Sequence, residues 1–90
     1  MRARIFDTNG RPLLKEVEVA LKVDDRGMSG RFISGFFARR SSVPFMTGDK
    51  FLLQFIDKGA EEMGVANPLM AIAYPVGDVV TFRPHRPLAV

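Results

Sequence analysis

Ninety residues make one domain, with room for one modest core. Hydrophobic residues form 47% of the chain and charged residues 26%, which excludes a disordered tail. There is no Cys and a single His, so a disulfide scaffold, a Cys-zinc or Fe–S site and thiol chemistry are excluded, and most metal and acid–base constellations with them. The net charge of +3 divides unevenly: residues 1–45 carry +4 and residues 46–90 carry −1.

Period-two patterning dominates. Residues 2–7 read as a strand with Ala3 and Ile5 inward and Arg2 and Arg4 outward. Asn9-Gly10 is a type I′ hairpin signal. A two-residue turn there pairs Ile5 with Leu14 and sends even-numbered residues of the next strand inward. Residues 15–24 demand the opposite. Val17, Val19, Leu21 and Val23 share one face, and Glu16, Glu18, Lys22 and Asp24 share the other. The conflict requires a β-bulge near Pro12-Leu13-Leu14 or a loop one residue longer.

Asp24-Asp25-Arg26-Gly27 reads as the next turn and residues 30–39 as a third strand. Ser41-Ser42-Val43-Pro44 is a loop, and Thr47-Gly48-Asp49 a tight turn into a fourth strand at residues 50–57. Residues 60–67 fit one helical turn, a short edge strand or a loop, and Gly64 opposes a long helix. Residues 69–74 and 79–83 supply the fifth and sixth strands, joined at Gly77-Asp78. The pattern predicts an all-β fold, a small six-stranded antiparallel barrel or two-sheet sandwich, with at most one short helical turn near residues 60–66. Residues 1–83 form the domain, and residues 84–90 an extended Pro-containing tail.

The search for chemistry leaves no catalytic, cofactor-binding or metal-binding residue to name. Phosphate-cradling glycine motifs and the nucleophile elbow are absent. His85 is the one base available to Ser29, Ser34, Ser41 and Ser42, and it sits in a Pro-flanked segment. Glu16 and Glu18 share a strand face, but a hard cation needs more converging oxygens. Asp25-Arg26-Gly27-Met28-Ser29-Gly30 has the residue types of a cyclic-dinucleotide signature at the wrong spacing, with no R-x-x-x-R before it. The minimal P-x-x-P at Pro84–Pro87 reads as a stiffened tail.

The third strand carries the sharpest feature. With Phe32, Phe36 and Ala38 assigned inward, Arg31, Ile33, Phe37 and Arg39 face outward, with Arg40 beyond them. In the fourth strand Phe51, Leu53 and Phe55 point inward and Leu52 and Ile56 outward. In the fifth, either Leu69, Ala71 and Ala73 or Met70, Ile72 and Tyr74 point outward. Strands three to five are thus apolar on both faces, and such strands need cover on both sides.

The expected function is that of a non-catalytic module acting by protein association, a homodimer through strands 3–5 or a complex with another protein. The interaction candidates are Arg31, Ile33, Phe37, Arg39, Arg40, Leu52 and Ile56. One alternative is nucleic-acid binding by the Arg/Phe face of the third strand, and another is binding of a small anionic ligand by arginine clamps. No signal-peptide core or apolar run of membrane-spanning length is present, so a cytoplasmic setting is expected, with no cofactor and no membrane partner.

Overall fold

The computed structural model describes residues 1–25, 31–40 and 43–85, with the side chains of Asp25 and Arg31 excepted. The expectations for the turn at Arg26-Gly27, for Gly30, for Ser41-Ser42 and for residues 86–90 of the tail lie outside the described residues. Six strands, β1 (Arg2–Phe6), β2 (Pro12–Asp25), β3 (Arg31–Ala38), β4 (Lys50–Phe55), β5 (Leu69–Val76) and β6 (Val79–Pro84), close into an antiparallel barrel in the order β1-β2-β3-β6-β5-β4. A four-residue helical turn, α1 (Gly59–Glu62), follows β4. Of the two expected architectures the barrel is the one formed.

The first hairpin resolves the parity conflict. Its loop is three residues long, Thr8 to Gly10, closed by a hydrogen bond from the Asp7 N–H to the Arg11 carbonyl at 2.9 Å. Within this loop only Gly10 takes positive φ, at 85°, so the expected type I′ turn, which needs it at two residues, is replaced by a longer one. The Asp7 carboxylate stabilises it by accepting from the Asn9 and Arg11 N–H groups at 2.9 and 2.8 Å. Ile5 does pair with Leu14, and register shifts on both sides of Ile5 then restore Ala3 opposite Val17. Odd-numbered residues of β2 therefore face inward beyond the irregularity.

The barrel interior is filled by matching large side chains to small cross-strand partners. Phe55 lies opposite Ala3, Phe51 opposite Ala71, and Phe82 opposite both Ala73 and Gly35. A six-stranded barrel is narrow, and this alternation lets four phenylalanine rings share its centre. Phe37 meets Phe45, Phe51 and Phe82 at centroid separations of 5.5, 5.8 and 6.2 Å, the first two edge to face. Gly35 admits no side chain: a Cβ there would lie 2.4 Å from the Ala20 carbonyl oxygen and 2.6 Å from the Phe82 ring.

The two connections flanking β4 close its two ends. Before it, Phe45 enters the core. After it, α1 buries Ala60, and its end is tied by the Val65 N–H to the Ala60 carbonyl at 2.9 Å, burying Val65 as well. Of the readings open for residues 60–67, one helical turn is correct. The Asn67 side chain then acts as a strand partner for the end of β4, donating to the Phe55 carbonyl at 3.0 Å and accepting from the Phe55 N–H at 2.9 Å.

In β3 the expected orientations of Phe32, Ile33, Phe36, Phe37 and Ala38 are reversed, while Arg39 is exposed as expected. Ile33 and Phe37 are buried, and Phe32, Phe36 and Ala38 face out. The cause is register. Direct antiparallel partners carry their side chains on the same face, and Phe37 pairs with Val19 and Ile33 with Val23. The inward parity of β2 therefore dictates that of β3.

Candidate functional site

The order of strands separates residues that were expected to lie together. β3 pairs with β2 and β6, and β6 stands between β3 and β5. Leu52 and Ile56, on and just past β4, are consequently three strands away from β3, on the opposite wall of the barrel. Leu52 is half-buried in an outer row between Phe6 and Met70. Ile56 is exposed, with its N–H on the Arg2 carbonyl. Arg39 and Arg40 are exposed beyond the end of β3. The Arg39 N–H binds the Asp78 carbonyl at 2.8 Å and its guanidinium the Gly77 carbonyl at 3.4 Å. The Arg31 side chain lies outside the described residues. Because Ile33 and Phe37 are core residues, they are withdrawn as surface candidates.

The outer surface divides into two unlike sides. On β1, the first half of β2 and the end of β4 it is charged and paired within the chain. Arg2 reaches Glu16 at 3.3 Å and Asp57 at 3.2 Å, and the Met1 amine reaches Glu18 at 2.8 Å. The Arg2 N–H, donating to Asp57 at 2.9 Å, and then the Arg2 guanidinium hold the Asp57 carboxyl below its ordinary value of 3.8. Arg2 is raised in turn, chiefly by its side-chain hydrogen bond to Asp57.

The other side, on β2, β3, β6 and β5, is largely apolar. The register places Ala20, Phe36, Thr81 and Tyr74 in one outward row across four strands. One step along the strands stand Lys22, Ser34, Arg83 and Ile72, and one step the other way Ala38, Val79 and Val76. Phe36 is 48% exposed and Val76 63%. A groove of about 440 Å³ opens on this side beside Gly35, between Phe36, Tyr74 and Lys22. Arg83 lies over the Tyr74 ring, 4.7 Å from its centroid, and the Thr81 hydroxyl donates to the Tyr74 carbonyl.

This row was missed because the two faces of β3 have nearly the same composition. Phe36 and Phe37 are neighbours, as are Phe32 and Ile33, so alternation alone does not choose between them. The available signal was in β2, where Lys22 and Ala20 are outward by an unambiguous pattern and carry their β3 partners with them.

Among the described residues no three His, Asp or Glu side chains gather as a metal-binding group. No helix among them is long and apolar enough to cross a membrane. Comparison of the chain with protein-family models, with curated proteins and with solved structures finds no match.

Proposed function

We propose that this protein is a non-catalytic β-barrel module that acts by protein association, first of all with a second copy of itself, through the outer face of β2, β3, β6 and β5. The observation that carries this reading is the row Ala20–Phe36–Thr81–Tyr74 with its flanking Val76, Val79 and Ala38, an apolar sheet face that neither α1 nor the Phe45 loop covers. Both of those segments are spent on the ends of β4. Exposed aromatic residues concentrated on one face support association, because aromatics dominate the energetic centres of interfaces. A stable dimer buries about 800 Å² on each partner, about an eighth of this chain's 6020 Å².

The measurement is molecular mass by sedimentation up to high micromolar concentration. A dimer is expected for the wild type and a monomer for Phe36→Asp, with unchanged circular dichroism. A wild-type protein that stays monomeric throughout refutes the reading.

A second reading has its own supporting observation. Arg83 and Lys22 rim an aromatic groove of small-ligand size, which suits a planar anion. A monomer whose melting temperature rises with such a ligand would favour it.

A further inference from the structure

We infer that a second contact between copies, separate from the face proposed above, joins the free edge of β2 to the same edge of another molecule, antiparallel about a two-fold axis at Val23.

β2 outruns its neighbour on one side. β1 and Met1 accompany it as far as Val19, whose N–H donates to the Met1 carbonyl at 2.6 Å. Backbone N–H and C=O groups alternate in direction along a strand, so Leu21, Val23 and Asp25 turn theirs to the same side as Val19. β3 occupies the other side as far as Asp25. On the first side no described strand or loop pairs with residues 21–25. Such a row of unpaired donors and acceptors is a template for another strand.

The side chains of this segment select a second copy as the occupant. A two-fold axis at Val23, the midpoint of the free segment, sets Val23 opposite its own symmetry mate and Leu21 opposite the other copy's Asp25, each pair exchanging both N–H···O=C bonds. Half-buried Leu21 and Val23 then adjoin their counterparts on the inner face. On the outer face Lys22 comes opposite the other copy's Asp24. These side chains are 72% and 38% exposed and already touch within one chain at 3.8 Å. Lys22 keeps its own Asp24 and gains a second, so no charge is withdrawn from the chain. The neighbouring in-phase axes fail. Centred on Lys22 the axis sets lysine on lysine and runs into Val19, already taken by Met1. Centred on Asp24 it sets aspartate on aspartate. An axis between residues puts the apolar side of one copy beside the polar side of the other.

The axis stands perpendicular to the sheet and crosses it at one point, so the curvature of the barrel does not disturb the contact. The antiparallel sense places the two barrels at opposite ends of the joined ribbon. The paired segment is short, so the contact is weaker than a standard interface and leaves Phe36→Asp monomeric at micromolar concentration.

Cysteine trapping reads a weak contact, and the chain has no cysteine of its own. Val23→Cys, combined with Phe36→Asp to remove the face contact, puts two thiols on the axis with Cα atoms about 5.5 Å apart, within disulfide reach. Leu21→Cys in the same background leaves the two Cα atoms more than about 13 Å apart. With diamide as oxidant, Val23→Cys is expected to form a disulfide dimer at least about tenfold faster than Leu21→Cys. Lys22→Cys mixed with Asp24→Cys uses exposed positions and is expected to cross-link faster, by a similar factor, than either variant alone. Circular dichroism checks the barrel in each. Equal rates in either comparison, with the barrel intact, overturn the two-fold pairing and leave the face reading standing. A wild type that stays monomeric in sedimentation removes the face reading and leaves the trapping result unaffected.

Discussion

Exchanging Phe37 or Phe36 for alanine separates the two possible parities of β3 by a large margin. Phe37 is 1% exposed and touches three other rings of the core. Truncating such a side chain removes its burial and leaves a cavity, at a cost of about 3–5 kcal/mol. Its edge-to-face contacts with Phe45 and Phe51 put the expected loss in the upper half of that range. A domain of this size is stable by only about 5–13 kcal/mol. The loss corresponds to a fall in melting temperature of roughly 16–40 °C at about 4–8 °C per kcal/mol. Phe36 is half exposed and leaves no cavity, so Phe36→Ala should cost less than about 1 kcal/mol, from its cross-strand contact with Thr81 and from β propensity. Thermal and urea melts at low micromolar concentration keep self-association from adding to either value. Equal losses for the two variants, or a larger one for Phe36→Ala, would mean that β3 is out of register with β2 by one residue.

Two further outcomes are expected. Gly35→Ala should destabilise the barrel by about 1–3 kcal/mol or more, because the added methyl meets the Ala20 carbonyl as well as the Phe82 ring and backbone cannot yield as a side chain can. A melt indistinguishable from wild type would show that Phe82 is not held over Gly35. The Asp57 carboxyl is depressed when folded, so its contribution to stability is complete above its ordinary value of 3.8 and disappears as pH falls through the lower folded value. Asp57→Asn should therefore lower stability at neutral pH and remove part of the acid dependence below about pH 4. Titration of Asp57 by NMR at or above its ordinary value would contradict the Arg2 contact.

The sequence read more clearly where a strand has one polar face. In β1 and β2, Arg2, Arg4, Glu16, Glu18 and Lys22 announce the outside, and the clash between turn and pattern already required a bulge near Leu14 or a longer loop; both are present. β4 was legible for a similar reason, since Lys50 and Gln54 break its outer face. The all-β class followed from turn spacing, and Gly64 limited residues 60–67 to at most one helical turn without choosing it over an edge strand or a loop. The parity of β3 did not follow. Its two faces are both aromatic, so local composition carries no preference, and the choice falls to hydrogen-bond register with β2.

The candidate site depended wholly on long-range order. Nothing local states that β6 inserts between β3 and β5, yet that insertion brings Phe36, Thr81 and Tyr74 into one row and sends Leu52 and Ile56 to the opposite wall of the barrel. The sequence by itself determined that this chain has more apolar strand surface than one core can absorb. Only the tertiary structure decided which part of it faces water. Burial is allotted by cross-strand pairing, and residues 45 apart, such as Phe36 and Thr81, become neighbours only when the barrel closes.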